Sequence, residues 1–166
     1  MEAYLSIVSR REVRDYAAGP LDPEDEHRIL DAGRLAGSAK NRQPWRFLLV
    51  EDETARARLA EAVFEPTNVQ GAQLVVAIVG LSCLDTGRCA QNMLLAAWNA
   101  GVGSCPNGQR DPEAARAALG LDADEEIAIV LTFGYPARER DPDRRKADEW
   151  SARADRRPLD ELVSRL

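Results

Sequence analysis

Apolar positions recur along the chain at two periods. Where they fall three and four apart they predict helices, and where they run unbroken between turn formers they predict buried strands. Tyr4, Ile7 and Val8 are helically spaced, and the helix is expected to run on through Arg10-Arg11-Glu12-Val13-Arg14. Gly19-Pro20 breaks the pattern, and Asp22-Pro23-Glu24-Asp25 starts a new helix. There a carboxylate can accept from the first free N–H groups, proline suits the first helical position, and acids favour the positive end. That helix sets Ile29, Ala32, Gly33 and Ala36 on one face, small enough to admit another backbone.

The stretch from Ser38 to Val50 follows. A polar loop, Ser38 to Gln43, closes at Pro44 and enters an apolar strand, Trp45 to Val50. A connection of this kind needs a glycine and one turn residue. Ser38, Lys40, Asn41, Arg42 and Gln43 bring more hydrogen-bonding capacity than that, which fits either a solvated loop or one that holds a polar ligand. Beyond it come a surface helix, Glu53 to Val63, and a loop, Phe64 to Gln73. Leu74 to Val79 does not alternate and reads as a strand covered on both faces. Asp85 is expected to cap a long helix with Cys89, Met93, Ala96, Ala97 and Ala100 along one stripe, stopped by Gly101. Gly101 to Gly108 reads as a glycine-rich loop, Asp111 to Gly120 as a short capped helix, and Ile127 to Phe133 as another buried strand. From Ala137 to Arg157 charge dominates and Trp150 is the one large apolar residue, so no core of its own is expected there. Leu159, Leu162, Val163 and Leu166 come after it, and such a segment is expected to lie on something else.

Few apolar strands among more helices give an α+β class, a central sheet flanked by helices on both faces, in a single domain over residues 1–166. The apolar stripe of residues 89–100 and the coreless C-terminal segment together point to a homodimer.

Composition narrows the function. With 45% hydrophobic and 30% charged residues the 166-residue chain is that of a folded globular protein. A net charge of −6 argues against general grip on nucleic acid. No apolar run approaches membrane-spanning length, and the N-terminal stretch lacks a signal-peptide pattern. Cys83, Cys89 and Cys105 form no CxxC pair, and His27 has no neighbouring ligand type, so neither a metal site nor a disulfide framework is expected. A reduced, cytoplasmic setting is the expectation.

Three polar features carry possible chemistry. Arg10, Arg11 and Arg14 form a cluster whose planar guanidinium forks suit phosphate, although a solvated charged face would look the same. On a continuing helix Arg10 and Arg14 would share a face. The amides of Asn41 and Gln43 can read a ring bearing donors and acceptors. The glycines of Gly101–Gly108 would let backbone N–H groups approach a ligand. That stretch is no dinucleotide fingerprint, because a helix precedes it and the glycine spacing is wrong, and no Gly-Lys-Ser/Thr occurs anywhere.

Taken in order, these pieces resemble the nitroreductase-like flavoproteins. Arg10-Arg11-Glu12-Val13-Arg14 is similar to their R-R-S-x-R opening, and Ser38-Ala39-Lys40-Asn41-Arg42-Gln43-Pro44-Trp45 to their S-x-x-N-x-Q-P-W. Asp85, Gln91 to Ala97 and Gly101-Val102-Gly103-Ser104 resemble their central helix and its exit, and Arg156 to Val163 their tail. The resemblance implies a homodimer with FMN at the subunit interface and an arm, about residues 137–166, laid on the partner. It implies hydride transfer from NADH or NADPH to FMN, then reduction of a nitroaromatic, quinone or similar small-molecule acceptor by a ping-pong cycle. A flavin-binding or sequestering dimer without turnover is the alternative. Arg10, with Arg156 or Arg157, would neutralise the FMN phosphate alongside Arg11, and Arg14 would lie near the pyrimidine edge of the flavin. Ser38 and Asn41 would reach the phosphate and ribityl chain or the ring edge of FMN from the other subunit, and Gln43 is a further expected cofactor contact. Pro106, Asn107 and Gly108 would offer a backbone N–H to N5, so that no catalytic side chain is required. Glu12 stands where the family has serine; it would point outward, pair with Arg11, or weaken the hold on the phosphate.

Overall fold

The structure is a computed structural model and describes residues 1–165. In chain order the elements are α1 (Ala3–Ser9), α2 (Pro23–Arg34), β1 (Arg46–Leu49), α3 (Glu53–Ala62), α4 (Pro66–Gly71), β2 (Leu74–Val79), α5 (Leu84–Asn99), β3 (Gly103–Asn107), α6 (Pro112–Ala118), β4 (Ile127–Gly134) and α7 (Ala147–Ala152). They fall into two compact units, Arg11–Arg140, and Met1–Arg10 taken with the chain from Asp141 onward.

In the larger unit the four strands form one sheet in the order β1-β2-β4-β3, every neighbour antiparallel. β2 explains why the pattern there did not alternate. Leu74, Val76 and Ile78 face one core with Ile29 of α2 and Cys89, Met93 and Ala97 of α5, while Val75 and Ala77 face a second core with Leu59 of α3, Val69 of α4 and Ala115 of α6. Helices therefore cover both faces, as expected. The two deep layers hold the sheet, since each fully buried aliphatic side chain contributes about 1.5–3 kcal/mol. Small residues on α2 do admit a neighbour: a Cβ on Gly33 would stand 2.8 Å from the Met93 side chain and 2.9 Å from Phe47.

Several expectations are corrected. The first helix does not continue through the arginines; it ends at Ser9, and Arg10 turns to ψ 134°. Residues 64–73 are not all loop, because Pro66 starts α4, which buries Asn68 and Val69. Asp85 does not cap α5. Cys83 occupies the cap, its N–H donating to Thr86 Oγ1 (3.0 Å), and Thr86 donates to Leu81 O (2.8 Å). Gly103–Asn107 is a strand rather than a loop, since pairing with β4 satisfies a backbone that glycine content alone left undecided. Cys89, Met93 and Ala97 of the expected stripe are taken up by the core.

In the smaller unit Glu2 caps α1, accepting from Tyr4 N and Leu5 N (both 2.9 Å), and α1 packs against α7. Trp150 is buried there. Its Nε1 donates to Pro142 O (2.8 Å), and Arg144 and Arg145 lie over its ring at 5.2 and 4.9 Å. The acceptor of its indole N–H and these two guanidinium groups are thus supplied by the segment that carries it. Leu159, Leu162 and Val163 are exposed, as are Tyr4 and Ile7; Leu166 lies outside the described residues. No helix among the described residues is long and apolar enough to cross a membrane.

Candidate functional site

Residues 11–17 are extended and form a short outer strip along the sheet. Glu12 bridges Ser104 in parallel register, Val13 N donates to Ser104 O (3.0 Å), and Ala17 N donates to Tyr135 O (2.8 Å). The open edge of β3 offers backbone partners that a further turn of helix could not match, which is why the arginine stretch unwinds. Arg11 and Arg14 are thereby set on the strip beside the strand that ends in Pro106-Asn107. A Cβ on Gly103 would stand 2.7 Å from Val13 Cβ, so glycine is what lets the strip lie this close.

Glu12 lies against Cys105, whose thiol burial raises above its ordinary pKa and Glu12 raises further. Beneath them is a buried polar chain. The Tyr16 hydroxyl lies 3.0 Å from Thr132 Oγ1, which lies 2.9 Å from Asn68 Oδ1 and 3.1 Å from Cys105 O. Burial pushes the Tyr16 phenol far above its ordinary range, with the hydrogen bond to Thr132 opposing it. Ser104 Oγ, on the same strand, is buried without a hydrogen-bonding partner.

At the far end of β3, Pro106 is exposed and Asn107 buried. The Asn107 amide accepts from Glu65 N and donates to Glu65 O (both 3.2 Å), and Phe64 N donates to Gly108 O (3.2 Å). The Asn107 side chain is therefore a clamp on residues 63–65, a role its sequence context did not disclose. Phe64 is the residue that sequence reasoning missed. Its ring lies 3.4 Å from where a Gly108 Cβ would be, its backbone is fixed, and yet it is 66% exposed. An aromatic residue in a stretch read as loop gave no signal by itself; the signal lies in its pairing with Gly108.

The Ser38–Gln43 loop is built differently. Ser38 Oγ accepts from Gln43 N (2.8 Å), Asp85 Oδ2 accepts from Ala39 N (3.0 Å), and Gln43 Nε2 donates to Asn41 Oδ1 (3.2 Å). Lys40, Asn41 and Gln43 all take left-handed φ, near 50°. Such strain persists only where surrounding bonds over-determine it, and it concentrates at ligand sites. The loop feeds β1, whereas Pro106 and Asn107 belong to β3, and β2 and β4 stand between these strands. The chain thus sets Arg11 and Arg14 on the strip outside β3, where it meets Gly103 and Ser104, whereas the Ser38–Gln43 loop stands at the β1 edge.

Arg10, Arg156 and Arg157 belong to the smaller unit. Arg10 N donates to Ser6 O (3.1 Å) as α1 ends. Arg156 Nη1 donates to Ala154 O (3.0 Å), and Arg157 pairs with Glu161 (3.2 Å). Both tail arginines are exposed, where an ion pair of this kind is weak. Of the two, Arg157 must release a carboxylate before gripping another anion.

The sequence profile of the nitroreductase family matches residues 7–80 and 79–135. A protein of Archaeoglobus fulgidus assigned as an NADH dehydrogenase/NAD(P)H nitroreductase is 30% identical over 90% of this chain and 99% of its own length. An NADH dehydrogenase of Thermus thermophilus is 29% identical over 87% of this chain and 92% of its own. Among solved structures, a nitroreductase-assigned protein from Desulfovibrio desulfuricans in complex with FMN superposes with a TM-score of 0.83 at 27% identity, covering 100% of this chain and 97% of that one.

Proposed function

Because the chain belongs to the nitroreductase family, we propose that it is an FMN-dependent oxidoreductase that oxidises NADH or NADPH and reduces a nitroaromatic, quinone or similar acceptor, working as a homodimer. The observation that carries this reading is the split between the two edges of the sheet. Arg11 and Arg14 lie on the strip outside β3, the strand that ends in Pro106-Asn107, on one, and the strained, polar Ser38–Gln43 loop feeds the other. One ligand touching both sets needs two copies of the chain. Exposed Tyr4, Ile7, Leu159, Leu162 and Val163 offer apolar surface for such a pairing.

The residues present fit a flavin mononucleotide. The strip supplies guanidinium forks for a phosphate and for negative charge at a ring edge, and β3 carries a buried hydroxyl, Ser104 Oγ, with no partner of its own. FMN, when bound, supplies the hydride-accepting centre. Arg11, with Arg10 and Arg156 or Arg157, neutralises the phosphate, and Arg156 is the tail arginine with no carboxylate to give up. Arg14 faces the pyrimidine edge and stabilises negative charge there. A backbone N–H of Pro106–Gly108 orients N5, kept in place by the Asn107 clamp. Ser38, Asn41 and Gln43 of the second copy complete the polar contacts.

Purified protein tests this directly. A yellow dimer whose FMN absorption is bleached anaerobically by NADH or NADPH and restored by a quinone supports the proposal. Yellow protein that never bleaches marks a flavin-binding dimer instead, and colourless protein that takes up no FMN removes both.

A further inference from the structure

We infer that Lys40 and Arg42 form an anion-binding rim that selects NADPH over NADH through the 2′-phosphate on the adenosine ribose, an inference that rests on the reductase reading above. The local charge is the first ground. From Ala32 to Val50 the chain holds Arg34, Lys40, Arg42 and Arg46 and no carboxylate, in a protein with 28 acidic and 22 basic residues. The second is pairing. Arg34 is engaged by Asp31 (2.7 Å) and Arg46 by Glu125 (2.5 Å). Lys40 and Arg42 are exposed, and neither side chain has an ionic or hydrogen-bonding partner among the described residues. A third cation stands close: a Cβ on Gly37 would lie 2.6 Å from Arg88 Nη2, while Arg88 keeps only a long contact to Asp85 (4.0 Å).

The backbone is the third ground. Among the described residues four non-glycines have left-handed φ, and three of them are Lys40, Asn41 and Gln43. The loop is pinned in that shape by Ser38, Asp85 and the Gln43 amide, so its basic tip is held out rather than folded onto a carboxylate. Preorganised cations of this kind bind a phosphate monoester, a dianion near neutral pH, without first breaking another bond. NADH and NADPH share their diphosphate, and the 2′-phosphate is where they differ. Because the loop also carries Asn41 and Gln43, its tip borders the site where the nucleotide must enter.

The test uses the full-length FMN-loaded dimer with menadione, a neutral acceptor. Flavin reduction is followed anaerobically with each nucleotide, and calorimetry compares 2′,5′-ADP with 5′-AMP. Wild type is expected to favour NADPH and 2′,5′-ADP by about tenfold, a preference that falls toward parity in Lys40→Ala/Arg42→Ala and inverts in Lys40→Glu/Arg42→Glu. Lys40→Arg/Arg42→Lys should keep it. Equal binding of the two probes by wild type overturns the rim, and so does an equal loss with both nucleotides in the variants. If neither nucleotide reduces the flavin while 2′,5′-ADP still binds better, the reductase reading fails and the rim stands.

Discussion

Gly103 and Val13 touch so closely that a single methyl group at position 103 would stand 2.7 Å from Val13 Cβ and 2.8–2.9 Å from both of its methyls. Val13 is β-branched and buried, so it cannot swing aside. Gly103→Ala must then push the strip that carries Arg11 and Arg14 away from β3 and strain the Val13–Ser104 hydrogen bond. A cost of about 1–3 kcal/mol is expected, with weakened FMN retention on top. Val13→Ala in the same chain removes two of the three clashing atoms. Equilibrium unfolding and FMN titration of the single and double variants check this; retention left intact by Gly103→Ala would contradict the placement of the arginines.

The Asn107 side chain satisfies both polar groups of Glu65 while itself buried. Asn107→Ala leaves that N–H and C=O without their partner, at about 1–3 kcal/mol. On the sequence alone this substitution is expected barely to weaken FMN retention, because only the backbone of Asn107 was assigned a role. The structure changes the expected outcome: lower thermal stability, and faster amide exchange confined to residues 63–65 and the end of β3. Exchange that rises uniformly through the protein would argue against a local clamp.

What could be read in the sequence was what short-range physics decides. The Asp22-Pro23 and Asp111-Pro112 starts are helix caps, with Asp22 accepting from Glu24 N (2.8 Å) and Asp111 from Ala114 N (3.0 Å). The β2 and β4 runs are strands because nothing but burial on both faces accommodates them. Elements set by distant partners were not legible. The arginine stretch is extended because β3 has a free edge 90 residues away, and Gly103–Asn107 is a strand because β4 supplies its ladder. Asp85 was read as a cap from its position next to an apolar run, yet its carboxylate serves the Ser38 loop. The site residues were visible as types, arginines, amides and glycines; their division between opposite sheet edges appears only once strand order is known.

Phe64 is a fixed aromatic surface rather than a mobile one, held by Gly108 and by the Asn107 clamp and still 66% exposed. A flat acceptor entering beside Pro106–Gly108 would stack on it. Phe64→Ala should therefore raise KM for a planar quinone by about three- to tenfold, with kcat nearly kept, since the lost contact is made equally before and during the reaction. Phe64→Tyr should retain wild-type KM. A non-aromatic acceptor such as ferricyanide should show no change in either variant, and a matching loss with ferricyanide would place Phe64 in the fold rather than in acceptor binding.

Alkaline pH should unfold this protein through groups buried in their neutral forms. Burial raises Cys89 from 9.0 to about 12, and Tyr16 is raised from 10.0 beyond the accessible range. Unfolded chains release these protons at ordinary pH while the folded protein keeps them, so stability is complete below pH 9 and declines as pH rises. Cys89 acts first, between pH 9 and about 12, and Tyr16 joins above pH 10. Each group fully inside its window steepens the loss by up to about 1.4 kcal/mol per pH unit. Urea midpoints from pH 7 to 10.5 should thus be flat, then fall with increasing slope. Tyr16→Phe lowers the whole curve by removing the bond to Thr132, but it should also lessen the extra steepening above pH 10. If the slope there is unchanged by Tyr16→Phe, the phenol is not held neutral by its surroundings, and the buried chain from Tyr16 to Asn68 is more open to water than its packing indicates.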